Sequence, residues 1–410
     1  MIFGCIADDF TGGSDIASFF AKGGLSTILY NGVPSNQSVP QADVCVIALK
    51  TRTQNTIDAV KDSLEAIKWL KEHGAKQFYV KYCSTFDSTP EGNIGPINDA
   101  VMEEIGVPYT IICPALPVNG RIVKDGCLYV HGVPLHESSM KDHPLTPMWD
   151  YDLVQLMEPQ SNFKSVKLPN DLTKEDTAEF IKKIKTENNS TPFYLIPDYE
   201  DEGDAEKIVE LFGDLPLLTG GSGLAEPLAR TFKQDKKKEG FGRSDSKALI
   251  LSGSCSETTR KQIEAFQQSG GDSYFIDPLR ILSGDETVDT IWNMIENTKG
   301  AILIYSSDTA ENIKKTQEKG KEEVAGLLEN TTAELAARAV AAGYHRIIVA
   351  GGETSGAVTK KLGYSSYHIG ASIAPGVPIM IPTQDTRVRL VLKSGNFGDS
   401  NFFLQALSKT

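Results

Sequence analysis

Long apolar runs are missing from this chain, and no stretch approaches the roughly 20 residues needed to span a bilayer. An integral membrane protein is therefore not expected. The opening Met1-Ile-Phe-Gly-Cys-Ile-Ala-Asp-Asp9 has no basic segment and soon meets acid, so it does not read as a secretory signal. Cysteine is sparse: the six residues include no Cys-x-x-Cys pair, and Cys45 and Cys113 lie in apolar runs. Free buried thiols in a reducing cytoplasm are expected. Positive charge is also short. With 41 Lys and Arg against 54 Asp and Glu, the net charge is −13, which argues against broad nucleic-acid or anionic-membrane binding. A small anionic substrate is still allowed, since it needs only a local cation cluster. The six histidines show no His-x-x-x-His spacing, so a zinc site is not expected and no metal ligand is assigned.

Familiar nucleotide signatures are absent as well. In Gly351-Gly-Glu-Thr-Ser-Gly-Ala-Val358, Ala357 stands where a Walker A lysine belongs, and Glu353 where the second glycine of a dinucleotide fingerprint would fall. The second absence disfavours a nicotinamide-dependent dehydrogenase. Asp8 and Asp9 are contiguous, so there is no Asp-x-Asp-x-Thr motif and no aspartyl-phosphate chemistry is expected.

What is present is a soluble globular composition, 40% hydrophobic and 23% charged, in a chain too long for one ordinary core. Strand and helix patterns alternate in both halves. Between them Phe232–Lys247 is charged, glycine-containing and poor in aliphatics. The division expected is 1–231, a linker 232–247, and 248–410, with Lys236-Lys-Lys238 a solvated part of the linker. Strands joined through helices imply an α/β protein of two domains, each a mainly parallel sheet covered by helices. Arg121–Val133 reads as a hairpin, 136–147 as an ordered loop, and Thr331–Ala342 as a long helix.

Ligands in such sheets sit beyond the C-terminal ends of strands. In the second half, three glycine turns fall at strand ends: Ser252-Gly-Ser254, Gly351-Gly-Glu-Thr-Ser355 and Lys393-Ser-Gly-Asn396. The middle turn follows the apolar run Ile347–Ala350, with helix-forming sequence resuming near Ala357. Glycines let backbone N–H groups approach phosphate oxygens, and a helix N-terminus adds partial positive charge. Glu353 suits a metal-bound water, and Thr354 and Ser355 offer hydroxyls. One such turn alone reads equally as a connection that binds nothing; three in one domain favour a nucleotide-phosphate site.

In the first half, Asp8 and Asp9 end a strand beside Thr11-Gly-Gly13, where one of them is expected to cap the following helix. Lys81 and Asp87-Ser88-Thr89 flank another strand end. A lysine, a carboxylate and two hydroxyls suit a polyhydroxy acid; an Asx/ST turn before Pro90 is the competing reading. His136 and Lys141 are further candidates for that pocket, although a lone loop histidine is commonly just exposed.

With these residues in view, the chain resembles the four-carbon acid sugar kinases over nearly its full length. The resemblance rests on Ile6-Ala-Asp-Asp-Phe-Thr-Gly-Gly-Ser-Asp15, Lys81–Gly95, Leu218-Thr-Gly-Gly-Ser-Gly-Leu224, Gly351–Gly356 and Lys393–Gly398. Many members carry a shorter Lys-x-x-Asp-Ser-Thr-x-Arg-Gly. Here Lys81 and Asp87 are further apart, and Glu91 stands where that arginine would be; the longer Lys81–Thr89 form, like His136–Pro147, resembles the branch that phosphorylates 3-oxo-tetronate. The resemblance implies a sugar-acid domain followed by an ATP domain, with the active site in the cleft between them. It further implies ATP-dependent phosphorylation of 3-oxo-tetronate at its 4-hydroxyl, with Mg²⁺ to neutralise phosphate charge. Threonate or erythronate as acceptor, or a sugar-acid-binding protein without catalysis, are the alternatives. Carried over, Asp9, Lys81, Asp87 and Ser88 line the sugar-acid site, with Asp8, Thr89, His136 and Lys141 beside them. Ser252, Ser254, Gly352, Glu353, Thr354, Ser355 and Gly395 line the ATP site. Asp9 is the candidate base and Asp87 the second candidate. The partners expected are the acid and ATP, with no nucleic acid and no membrane; homo-oligomerisation is left open.

Overall fold

The computed structural model describes residues 1–35, 41–143, 145–232, 241–307 and 321–410. The chain divides into two compact units, Met1–Lys237 and Lys238–Thr410. Half of the expected linker, including Lys236-Lys-Lys238, lies outside the described residues.

The first unit runs β1 (Phe3–Ala7), α1 (Phe10–Lys22), β2 (Thr27–Asn31), β3 (Val44–Ala48), α2 (Thr56–Glu72), β4 (Gln77–Lys81), α3 (Ile94–Ile105) and β5 (Tyr109–Cys113). It continues through β6 (Arg121–Lys124), β7 (Cys127–Val130), β8 (Val133–Pro134), α4 (Leu153–Met157), β9 (Lys164–Lys167) and α5 (Lys174–Glu187). The elements β10 (Phe193–Ile196), α6 (Glu202–Phe212), β11 (Leu217–Gly220) and α7 (Ala225–Arg230) complete it. Eight strands pair in the order β2-β3-β1-β4-β11-β5-β10-β9, all of them parallel. The central strands are apolar without alternation because helices cover both faces; every residue of β1 and β3 is buried. The expected hairpin is present as β6 and β7, extended by β8 into a small antiparallel sheet.

The second unit runs β12 (Ala248–Ser252), α8 (Glu257–Gln268), β13 (Asp272–Phe275), α9 (Pro278–Ser283), α10 (Val288–Ile295), β14 (Ala301–Tyr305) and α11 (Lys321–Ala341). Then come β15 (Arg346–Ala350), α12 (Gly352–Leu362), β16 (Ser366–Ala374), β17 (Val377–Pro382), β18 (Arg389–Lys393) and α13 (Phe402–Lys409). The order β13-β14-β12-β15-β18-β17-β16 is parallel as far as β18. It is then antiparallel through β17 and β16, where Pro375-Gly376, with φ 78 at Gly376, turns the chain directly back.

Two expectations need correction. The helix after β15 begins at Gly352, not near Ala357, because Gly351 at φ 123 completes the strand-to-helix turn by itself. Glu353, Thr354 and Ser355 are therefore in a helix's first turn and not in a loop. The long helix begins at Lys321, upstream of Thr331.

Candidate active site

In the first unit, β3, β1, β4 and β11 are neighbours whose ends are in register. Ala48 pairs with Ala7, Ala7 with Lys81, and Lys81 with Gly220. The residues just beyond those ends come together for that reason: Thr51 and Arg52, Asp8 and Asp9, Lys81 itself, and Gly221 and Ser222. This is where an open parallel sheet offers a crevice.

Arg52 is the hub. Its Nε donates to Asp8 Oδ2 at 2.7 Å and its Nη2 to Asp8 Oδ1 at 3.1 Å. The same guanidinium lies 2.9 Å from Asp9 Oδ2 and 3.7 Å from Asp87 Oδ2. Burial pushes the Asp8 carboxyl up, but Arg52 and Lys81 outweigh that and hold it below the usual carboxylate range. Asp9 caps α1, accepting the Gly12 N–H, while Asp8 faces Arg52. The two carboxylates thus meet one guanidinium from a strand end and a helix cap. Adjacent residues within a strand point to opposite faces, but Asp9 is already the cap of α1, so both carboxylates reach the same cation.

Lys81 is 4% exposed. Its ammonium makes no hydrogen bond and no ion pair within 4.0 Å among the described residues. Burial lowers its proton affinity, but Asp8, Asp15 and Asp9 overcome this and keep it charged. It lies over Gly12. A Cβ there would stand 2.6 Å from Lys81 Nζ, 2.8 Å from Asp9 Oδ1 and 3.3 Å from Asp8 Oδ1. Only glycine leaves that space open. Asp15 adds a further carboxyl: one oxygen accepts from Ser222 Oγ at 2.5 Å, and the other is buried with no hydrogen-bond partner. Burial pushes its proton affinity up, against Lys81 and Ser222.

The segment after Lys81 reaches Asp87 through Phe86, which is fully buried at φ 51. That is an uncommon conformation for a bulky residue, held by packing on Tyr82 at 5.6 Å between rings. Asp87 is 6% exposed and takes a 2.6 Å bond from Thr85. Ser88 is turned inward. Its hydroxyl is 1% exposed and donates to Gln160 Oε1 at 2.8 Å, so it belongs to the packing beneath the site. Thr89 is half-buried. His136 lies 3.8 Å from Glu137 and tilts against Tyr151, and Lys141 is exposed. Neither shares a hydrogen bond or ion pair with the Arg52 cluster among the described residues. Arg52 and Asp15 were not among the sequence candidates. The strand-end rule offered a signal for Arg52, because it follows β3 in Leu49-Lys-Thr-Arg52.

In the second unit the three glycine turns lie side by side. Ser252 pairs with Ala350, and Ala350 with Lys393, so the turns leave the sheet at one level. Gly253 N–H donates to Ala350 O and Gly351 N–H to Lys393 O, which carries the ladder one step further. Gly351 caps α12 without a side chain, leaving the first-turn N–H groups without a capping acceptor. Cβ atoms added at Gly352 or Gly356 would meet nothing within 4 Å. Thr354 and Ser355 are buried, and Ser355 Oγ has no partner. Ser254 Oγ donates to Ser256 and stands 2.5 Å from where a Gly395 Cβ would be. The Ser252 hydroxyl is fully buried and paired with Ser307 at 2.9 Å, so it supports the turn from below. The arrangement is an anion cradle of backbone donors at a helix N-terminus.

A family model described as the sugar-binding N-terminal domain matches residues 3–228, and one described as the nucleotide-binding C-terminal domain matches 249–403. The chain is 40% identical over 410 residues to a 3-oxo-tetronate kinase of Haemophilus influenzae, with 98% of each covered. It is 41% identical to a 3-oxo-tetronate kinase of Salmonella typhimurium, covering 98% of each. A crystal structure from Salmonella typhimurium superposes with TM-score 0.92 at 40% identity over 98% of both chains. Another, of a Haemophilus influenzae protein, gives 0.87 at 39% identity over 99% of both. Fold and matches together define a two-domain kinase, with one domain of the sugar-binding type and one of the nucleotide-binding type. The chain belongs to the four-carbon acid sugar kinase family.

Proposed function

We propose that this chain transfers the γ-phosphoryl of ATP to the 4-hydroxyl of 3-oxo-tetronate. The observation that carries the reading is Lys81: a buried ammonium with no direct partner, beside an arginine and three aspartates. A buried cation of that kind is poised for an anion. Lys81 and Arg52 receive the acid's carboxylate, Thr89 offers a hydroxyl, and Asp9 takes the proton of the attacking hydroxyl. Asp9 is the more accessible carboxylate of the pair, at 34% side-chain exposure against 6% for Asp87. The cradle over Gly352 and Ser355 holds the phosphates of ATP. The work of these residues is positioning and charge stabilisation.

Magnesium fits this reading. Among the described residues no group of three or more His, Cys, Asp or Glu side chains forms a metal cage. Kinase magnesium needs only one or two carboxylates besides the phosphates. Glu353, exposed in the first turn of α12, is the residue that would hold it, directly or through water. Bound there, the ion neutralises charge on the β and γ oxygens. The Arg52 cluster does not fit a metal, since its carboxylates are already engaged by the guanidinium. Free thiols at all six cysteines support a cytoplasmic location. Among the described residues no helix is long and apolar enough to cross a membrane.

Coupled ADP-release kinetics over four-carbon acids, with ³¹P NMR of the product, test the reading. The expected outcome is the largest kcat/KM for 3-oxo-tetronate and a 4-phosphate product. A larger kcat/KM for threonate or erythronate would reject the acceptor assigned here.

A further inference from the structure

The third glycine turn of the second unit opens on a lysine that has no role in the site described above. Lys393 ends β18 and is 2% exposed. Its ammonium donates to Thr259 Oγ1 at 3.0 Å, to Ser394 O at 3.1 Å and to Gly395 O at 3.0 Å. All three donors are used, and every acceptor is neutral. Phe402 lies beneath, with its ring centre 5.7 Å from Nζ. Gly395 O also accepts from Ser256 Oγ at 2.7 Å and Thr259 Oγ1 at 2.9 Å. One carbonyl therefore takes three donors, an investment that loop closure alone does not call for.

The geometry of the peptide unit shows what this achieves. In a trans peptide the C=O and the following N–H point in opposite directions. Drawing Ser394 C=O toward the buried ammonium turns Gly395 N–H away from it. Drawing in Gly395 C=O does the same for Asn396 N–H. Neither of these N–H groups donates to any hydrogen bond among the described residues, and Asn396 is exposed. Gly395 stands against Ser254 at the same level as the α12 N-terminus. Two successive free N–H groups of this kind make an anion nest.

We propose that Lys393 is the positioning residue of the nucleotide site: from beneath, it folds the Ser394–Asn396 turn into a second phosphate nest beside the α12 N-terminus. It does not touch the nucleotide, because its own donors are spent on the turn. The inference rests on the reading of the second unit as the ATP site.

The test uses the full-length enzyme. Calorimetry first establishes ATP binding by the wild type. Lys393→Met removes the charge and its three bonds. The KM for ATP is expected to rise about tenfold or more, the worth of one charge-assisted hydrogen bond or above. Saturating ATP should restore kcat, and the Kd for the sugar acid should not move. Lys393→Arg, which keeps the charge, should recover part of the loss. A merely structural lysine would lower stability without this division between KM and kcat. Should the Met variant fail to fold, Thr259→Val removes only the hydroxyl that links Lys393 to Gly395, and is expected to raise the ATP KM about threefold. A folded variant with an unchanged ATP KM, or with kcat lowered at saturating ATP, overturns the inference. If the wild type binds no ATP at all, the reading of the second unit falls and the inference with it.

Discussion

The two candidate sites use opposite chemistry. The first unit gathers charged side chains: Arg52 and Lys81 against Asp8, Asp9, Asp15 and Asp87. The second gathers backbone: three glycine turns in register, a helix N-terminus without a capping side chain, and one lysine hidden beneath. A small acid with one charge and several hydroxyls is told from its relatives by directional side chains. A polyphosphate carries its charge on many equivalent oxygens, and a rigid array of N–H groups suits it. Mutations in the first unit should therefore damage the chemistry and the acid's binding, while those in the second should damage nucleotide affinity alone.

The sharpest contrast comes from Asp9. Asparagine is nearly isosteric but takes no proton at neutral pH. Asp9→Asn should still accept the Gly12 N–H and cap α1, so the fold is retained. Its kcat should fall by roughly 10²–10⁴-fold with ATP affinity little changed. Rapid-quench or steady-state kinetics beside Asp87→Asn decides between the carboxylates. Near-normal kcat in the Asp9 variant, with turnover abolished in a folded Asp87 variant, would exchange their roles.

Arg52 comes next. Removing it leaves Asp8, Asp9 and Asp87 facing one another with only Lys81 nearby. Arg52→Met should lower stability by about 3 kcal/mol, the cost of uncompensated partly buried charge, and weaken acid binding. Urea melts of the variant at neutral and acid pH test the cause. The loss should shrink on acidification, because protonating the carboxylates removes their repulsion. A loss independent of pH would point to packing instead.

These two residues also show where the sequence was legible. Asp9 is readable because a strand, an aspartate and a Thr-Gly-Gly lie together between Phe3 and Gly13. Arg52 was not singled out, because Thr51-Arg-Thr53 looks like any polar loop and its partners lie far off in sequence, at Asp8 and Asp87. The parallel strands before β16 were readable from apolar runs, except β9. Its Lys-Ser-Val-Lys is polar and half-exposed at the sheet's edge. β16 and β17 went unread, since Gly370 and three prolines interrupt the pattern and a Pro-Gly turn replaces a crossover helix. Ser88 reads as a ligand donor in the sequence because Asp87 and Thr89 beside it are candidates too; only the fold brings up Gln160, 72 positions away, to take its hydroxyl.

A smaller effect is expected in the second unit from Gly352→Val. The space above Gly352 is open, so the fold should tolerate the side chain, but it would occupy the approach to the α12 N-terminus. ATP affinity should fall by about 10–100-fold, and acid binding should be unaffected. Calorimetry with each ligand separately checks this. Equal weakening of both would end the division of labour drawn above.

The smallest effect separates the two kinds of lysine. Lys81 has its proton affinity raised by aspartates, whereas burial alone brings Lys393 down to about 8 from 10.5. Between those two values the unfolded chain holds a proton at position 393 that the folded chain has released. Unfolding then takes up a proton, so this group's contribution to stability rises with pH across that window. Its penalty is full below about 8 and is relieved toward 10.5. The buried thiols act the other way. Burial raises Cys5, Cys45 and Cys113 far above their ordinary value of 9.0, so folded protein keeps protons that unfolded protein loses, and total stability falls. The Lys393 contribution emerges only as a difference. Relative to wild type, Lys393→Met should lose about 1–2 kcal/mol of stability between neutral and strongly alkaline pH, followed by urea melts at each pH. ATP affinity of the wild type should move oppositely over the same range, weakening as the ammonium that shapes the Gly395 turn loses its proton. Parallel pH profiles for the two proteins would mean that Lys393 stays charged throughout, and that its burial is compensated more fully than its neutral partners account for.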